Sequence, residues 1–135
     1  MTTARKKTPT EVRLGFATLD LDRQRRRGMP EVVYGAGKTG EQIVAIVKAL
    51  NAAGQNACVT RVDPDIAGEL LREIPQATHH GTARMLTSDV NPLPRRRGHV
   101  AVVAAGTSDL PVAEEAALTA ERLGARVTRI YDVGV

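Results

Sequence analysis

Apolar residues along the chain alternate between short blocks and longer stretches in which they recur every three or four positions. Glu31–Tyr34 (EVVY) reads as a short strand. Ile43, Ile46, Val47 and Leu50 then fall at i, i+3, i+4 and i+7, the stripe of a helix running from about Glu41 to Ala53, with Gly54 as its stop. Ala57–Val62 predicts a second strand. Asp63 or Asp65 can cap a second helix reaching Glu73, in which Ile66, Leu70 and Ile74 repeat every four residues until Pro75 ends it. Gln76–Leu86 predicts a strand and a short helical turn. His99–Ala105 (HVAVVAA) is a buried-strand run, and Arg126–Tyr131 is the next strand. Between them Leu110, Ala113, Ala116, Ala117, Ala120 and Leu123 line one side of a helix that Gly124 terminates. Pro111 is tolerated only in a first turn, so that helix starts within a residue or two of Asp109.

These elements divide the chain. Residues 1–13 are polar and predict a disordered tail, and Leu14–Leu21 is a semi-apolar segment running into an arginine clump. The best linker is Asn91–Gly98 (NPLPRRRG), whose prolines, arginines and glycine suit neither regular structure. The expected organisation is a small N-terminal α/β domain over residues 14–94, a linker at 95–98, and a fresh strand–helix–strand unit over 99–135. Such a unit implies a parallel strand pair with a right-handed crossover. Two parallel strands and one helix cannot bury both faces of a sheet, so the second domain reads as incomplete.

Composition narrows the class. Hydrophobic residues make up 42% and charged residues 25%, a globular mix. Phe16, Tyr34 and Tyr131 are the only aromatics, so the core is expected to be Val, Ile, Leu and Ala, as in layered α/β proteins. No run approaches the roughly 18 apolar residues of a membrane span. The lone Cys58 excludes an internal disulfide and fits a reducing compartment, so a soluble cytoplasmic protein without membrane partners is expected. The net charge of +4 conceals arginine clumps at Arg23, Arg25, Arg26 and Arg27 and at Arg95–Arg97. Basic clumps attract phosphates. Readers of single-stranded nucleic acid add aromatic platforms that this chain lacks, so a small phosphorylated ligand is expected in place of nucleic acid.

Two strand-to-helix turns carry candidate chemistry. Gly35-Ala-Gly-Lys-Thr-Gly40 satisfies G-x-G-x-x-G, and Asp63 follows at the spacing of a dinucleotide fingerprint. It also mimics the end of a phosphate loop, but Val32 stands where that motif needs its first glycine. What survives is an anion site of N–H groups at a helix start with Lys38 and Thr39, against a purely structural turn. The second turn is Gly106-Thr-Ser-Asp-Leu-Pro111. Thr107 and Ser108 offer hydroxyl and N–H groups to a phosphate, and Asp109 either caps the helix or holds a ribose hydroxyl or a proton. Arg23 represents the first arginine clump among the ligand candidates. His79, His80, His99 and Cys58 have no metal spacing, and Cys58 in an apolar strand reads as an inert thiol.

Val102–Ala117 (VVAAGTSDLPVAEEAA), continuing through TAERLGARVTRIYDVGV, resembles the opening of the carboxylase-like domain of the LarB family. That domain is similar to the aminoimidazole ribonucleotide carboxylases and mutases (PurE). The stretch Asp20–Val33 (DLDRQRRRGMPEVV), with Gly37-Lys-Thr39 and Glu41-Gln42, resembles the LarB N-terminal domain. The resemblance implies an α/β chain whose second part is an incomplete three-layer, PurE-like (flavodoxin-like) parallel-sheet domain. It implies a homo-oligomeric enzyme that carboxylates and hydrolyses nicotinic acid adenine dinucleotide, giving pyridinium-3,5-biscarboxylic acid mononucleotide and AMP. Carbon dioxide or bicarbonate would be the co-substrate, with no tightly bound cofactor and with Mg2+ as an optional ion. The family's nucleophilic cysteine belongs to a downstream segment that Cys58 does not match, so the 135 residues alone are expected to be inactive. Thr107, Ser108 and Asp109 match the ligand-binding turn. Gly106, and Asp132-Val-Gly134, depart from the purine enzymes, whose chemistry is the alternative along with a non-catalytic nucleotide-binding module.

Overall fold

The computed structural model describes residues 9–134. It opens with an antiparallel hairpin of β1 (Glu11–Arg13) and β2 (Thr18–Asp20). Residues 11–13 thus form a strand where the sequence predicts a tail. The reason is that Val12 and Leu14 lay their apolar side chains against the main core beside the buried Leu19. The rest of the expected tail, residues 1–8, lies outside the described residues. Helix α1 (Arg23–Arg27) is a single short turn closed by Gly28 at φ 69°. Its arginines are partly neutralised locally: Arg25 forks onto Asp22, and Arg26 reaches Asp20 and Asp22.

A mixed four-stranded sheet follows, ordered β3-β4-β6-β5. β3 (Val33–Tyr34) runs parallel to β4 (Ala57–Thr60), and β4 runs antiparallel to β6 (Met85–Ser88). β5 (Thr78–His80) pairs antiparallel with β6, so Gln76–Leu86 is part of a hairpin and holds no helical turn. The two strands satisfy each other's backbone groups, which a helical turn there would leave unpaired. Helix α2 (Gly40–Ala52) buries Ile43, Ile46, Val47 and Leu50, the stripe the periodicity predicts. A 3-10 turn at Pro64–Ile66, capped by the Asp63 carboxylate, leads into α3 (Ala67–Glu73), which adds Leu70, with Ile74 buried just past its end. Each such side chain contributes about 1.5–3 kcal/mol of burial. Ser88 is buried as well, tied to Asn51 on α2 through hydroxyl and backbone, which fixes helix against sheet.

The chain then forms β7 (His99–Ala104), a 3-10 turn at Thr107–Asp109, α4 (Leu110–Arg122) and β8 (Arg126–Tyr131). β7 and β8 are parallel and in register from His99 opposite Arg126 to Ala104 opposite Tyr131, as the strand–helix–strand pattern predicts. Helices with parallel and mixed sheets make the chain an α/β protein.

Helix α4 presents two faces about 100° apart, one residue out of step. Glu114 and Glu121 hold Arg129 of β8, and Glu114 also accepts the Tyr131 hydroxyl at 2.5 Å; Ala117 between them is fully buried. Glu115, Leu118 and Arg122, one position on, meet the N-terminal domain. Glu115 binds Arg61, Leu118 packs against Cys58, Ala83 and Met85, and Arg122 forks onto Asp89. Ala116, expected on the apolar side, is exposed because both packed faces turn away from it. The opposite side of the β7–β8 pair is open: Ala101, Val103 and Ile130 are exposed, Val103 by 60%.

A two-stranded sheet with an open face is shielded from solvent far less than β4 and β6. Amide hydrogen exchange in β7 and β8 should therefore run about a hundredfold faster than in β4 and β6. Equal protection across both sheets in a monomeric sample would contradict the open-face arrangement.

Candidate functional site

Parallel strands put their carboxyl ends, and the loops that follow, on one edge of a sheet, where α/β proteins bind ligands. β3 ends at Tyr34, so the Gly35–Gly40 turn lies on that edge. β4 is parallel to it and ends at Thr60, so Arg61 lies there too. β6 is antiparallel, with Leu86 opposite Val59, so its start, and Arg84 before it, reach the same edge. Backbone contacts knit these loops: the Gly35 N–H donates to the Thr60 carbonyl at 2.7 Å, and the Val62 N–H donates to the Arg84 carbonyl at 2.8 Å. Gly35 is required by this approach, since a Cβ would lie 2.6 Å from the Thr60 oxygen.

Within the glycine turn, the groups proposed for an anion are engaged internally. The Lys38 ammonium donates to the Tyr34 carbonyl at 2.7 Å. The Thr39 hydroxyl accepts the Gln42 N–H, and the Gln42 side chain accepts the Thr39 N–H, a complete capping box. The Glu69 carboxylate approaches Gly40 so closely that a Cβ there would meet it at 2.7 Å. A carboxylate beside the start of α2 already complements the helix dipole. Asp63, singled out by the fingerprint spacing, spends its carboxylate on the Asp65 N–H.

The second turn lies at the carboxyl end of β7. Asp109 does not cap α4 through its side chain; its carboxylate reaches back to the Gly106 N–H at 3.3 Å and closes the 3-10 turn. Thr107 and Ser108 are exposed. Ser108 lines a cleft with Arg61, Ala83, Arg84, Pro111, Val112 and Glu115. Arg61 and Arg84 also line the cleft that holds Gly37, Lys38, Thr39 and Asp63. The two turns therefore border adjoining clefts that share the two arginines. Arg23 lines neither cleft: it sits on α1, 3.8 Å from Glu31, a carboxyl that burial pushes up against the pull of Arg23.

The sequence alone does not single out Arg61 or Arg84. Arg61 carries a sequence signal in hindsight, since it follows a strand parallel to β3, whereas Arg84 lies in a segment whose hairpin was not apparent. Both adopt left-handed backbone, at φ 52° and 51°. Cys58 is 5% exposed, and burial pushes its thiol up, only partly offset by Arg122. Burial pulls His80 down, while its Nε2 meets the Thr87 hydroxyl at 3.0 Å. Burial raises Glu114, but the Tyr131 hydroxyl and Arg129 outweigh it, leaving that carboxyl below its usual range. No cluster of three or more metal-ligating side chains occurs among the described residues.

A family model described as the LarB/PurE-like N-terminal domain matches residues 11–90. An uncharacterized protein of Methanocaldococcus jannaschii is 33% identical over 123 residues, which cover 87% of this chain and 48% of the relative. The chain thus spans about half the length of that curated relative.

If the Thr39 hydroxyl is committed to capping, Thr39→Ala should destabilise the protein by about 1 kcal/mol in urea melts and Thr39→Ser should recover most of it. A Thr39→Ala protein as stable as its parent would show that the hydroxyl is free.

Proposed function

The chain belongs to the LarB/PurE-like N-terminal domain family, and we propose that it is part of a carboxylase and phosphoanhydride hydrolase acting on nicotinic acid adenine dinucleotide. The products are pyridinium-3,5-biscarboxylic acid mononucleotide and AMP. One observation carries the reading: the family match over residues 11–90 is followed, after the 91–98 segment and β7, by an exposed Gly-Thr-Ser-Asp turn at the carboxyl end of a parallel strand.

The reaction needs a nucleophile to add to the electron-poor pyridinium ring. Addition converts the ring to a dihydropyridine whose C5 is nucleophilic enough to attack CO2; loss of the C5 proton and departure of the nucleophile then restore the aromatic ring. Hydrolysis of the phosphoanhydride consumes one water and frees AMP. Cys58 is unsuited to the first step, being buried with its thiol held in the neutral form. The nucleophile is assigned to a part of the protein outside these 135 residues. Here Thr107 and Ser108 would hold a ligand phosphate through hydroxyl and N–H groups, with Asp109 fixing the turn that presents them. Lys38 and Thr39 would serve the same ligand only by giving up their partners inside the loop. Mg2+ would arrive with the phosphates, because the described residues offer no clustered ligand set. Self-association of the whole enzyme belongs to the same reading.

Purified 135-residue protein given the dinucleotide and bicarbonate should release no AMP. The longer protein should release it, and Ser108→Ala should weaken dinucleotide binding by about 1 kcal/mol, roughly fivefold. Asp109→Asn, which keeps a carbonyl oxygen to accept from Gly106, should leave turnover within a few-fold. Carboxylation of aminoimidazole ribonucleotide by the longer protein, with the dinucleotide untouched, would overturn the reading in favour of purine chemistry.

A further inference from the structure

Two arginines in left-handed backbone line both of two adjoining clefts, and neither backbone is one that arginine prefers. Left-handed φ is strained for a side-chain-bearing residue, and glycine or asparagine would meet the turns at less cost. Arg61 lies between the end of β4 and Val62, Arg84 directly before β6, and the Val62 N–H joins the two at the Arg84 carbonyl. Both line the cleft of the glycine turn and the cleft of Ser108. Among the described residues the Arg84 guanidinium has neither a carboxylate partner nor a hydrogen bond. Arg61 has Glu115, at 2.7 Å from its Nε, and that carboxylate raises the arginine's pKa further through the hydrogen bond they share. Lys38, Arg61 and Arg84 face Asp63 and Glu115 across these clefts, and Asp63 is already occupied with the Asp65 N–H. The clefts therefore carry surplus positive charge from forked donors suited to phosphate oxygens.

We propose that Arg61 and Arg84 form a diphosphate-binding subsite between the two turns, in which the Glu115 carboxylate holds Arg61 until the ligand's anionic oxygens displace it. The paired donors suit adjacent phosphates better than a single carboxylate. Ser108, which lines one of these clefts with both arginines, adds a hydroxyl to the same ligand. The subsite itself stands on the arginines; that its ligand is the phosphoanhydride of a dinucleotide rests on the proposed function. Glu115 is also one of the contacts joining α4 to the N-terminal domain, so ligand binding exchanges an internal ion pair for an external one.

The probe is inorganic pyrophosphate titrated into the 135-residue protein by calorimetry at fixed ionic strength, without divalent cations. Saturable binding is expected. Arg61→Gln and Arg84→Gly should each weaken it about tenfold or more, since each removes a charge-assisted contact. Glu115→Gln, which removes the competing charge, should tighten it severalfold. Arg84→Gly should keep or exceed the parent melting temperature because glycine relieves the left-handed turn; Arg84→Asn is the second variant should the glycine protein fail to fold. Absence of saturable binding, unchanged binding in either arginine variant, or an equal loss in Arg126→Gln would overturn the subsite. A longer protein that binds pyrophosphate through Arg84 yet leaves the nicotinic acid dinucleotide unconverted would remove the proposed function and keep the subsite. Dinucleotide turnover insensitive to Arg61 and Arg84 would do the reverse.

Discussion

Helix α4 has to satisfy two partners at once, because the parallel pair β7–β8 offers it too little surface to be buried on one side alone. Its Glu114–Ala117–Glu121 face takes Arg129 and Tyr131 of β8. The adjoining Glu115–Leu118–Arg122 face takes Arg61, the Cys58–Ala83–Met85 cluster and Asp89. The apolar part of the second contact is small; the Arg61–Glu115 pair is exposed enough to add at most about 1 kcal/mol, while the Arg122–Asp89 pair has its arginine largely covered. What they supply is position: one apolar side chain between two oppositely oriented ion pairs admits few other registers of helix on sheet.

Everything about the candidate site depends on that register. The Thr107–Asp109 turn sits immediately before α4, so seating the helix on the N-terminal sheet brings Ser108 into the cleft that Arg61 and Arg84 also line. The mixed sheet does the complementary work. Two parallel carboxyl ends and one antiparallel start converge on a single edge, which is why residues as distant in sequence as Lys38 and Arg84 line a common groove. The left-handed arginines are tolerated because the surrounding ladder and core, with Val59, Val62 and Leu86 fully buried, hold both turns in place.

Much of the scaffold was legible in the sequence. The stripe of α2 follows from a period of 3.6 that the burial confirms, and the C-terminal strand–helix–strand unit pairs in parallel as expected. However, β7, expected as a buried run, leaves His99, Ala101 and Val103 exposed because α4 covers only one face of a two-stranded sheet. The first hairpin was hidden because Val12 and Leu14 are isolated apolar residues in a polar stretch, and only the core they touch makes them structural. The β5–β6 hairpin was hidden because its turn is closed by an arginine at positive φ, not by the glycine or asparagine pair that marks a hairpin in sequence. The second face of α4 reads as Glu, Leu and Arg, which resembles a solvated stripe until a partner sheet is beside it. The site was half visible: the two turns announce themselves by glycine and hydroxyl residues, whereas Arg61 and Arg84 become neighbours only through strand order.

The seating of α4 on the N-terminal sheet is tested most directly by methyl NOE spectroscopy on the intact chain. The Leu118 methyls should show cross-peaks to the Ala83 and Met85 methyls, as their packing requires. Absence of those cross-peaks, with α4 and β6 both giving the shifts of folded structure, would contradict the account, because the two turns would then not border adjoining clefts.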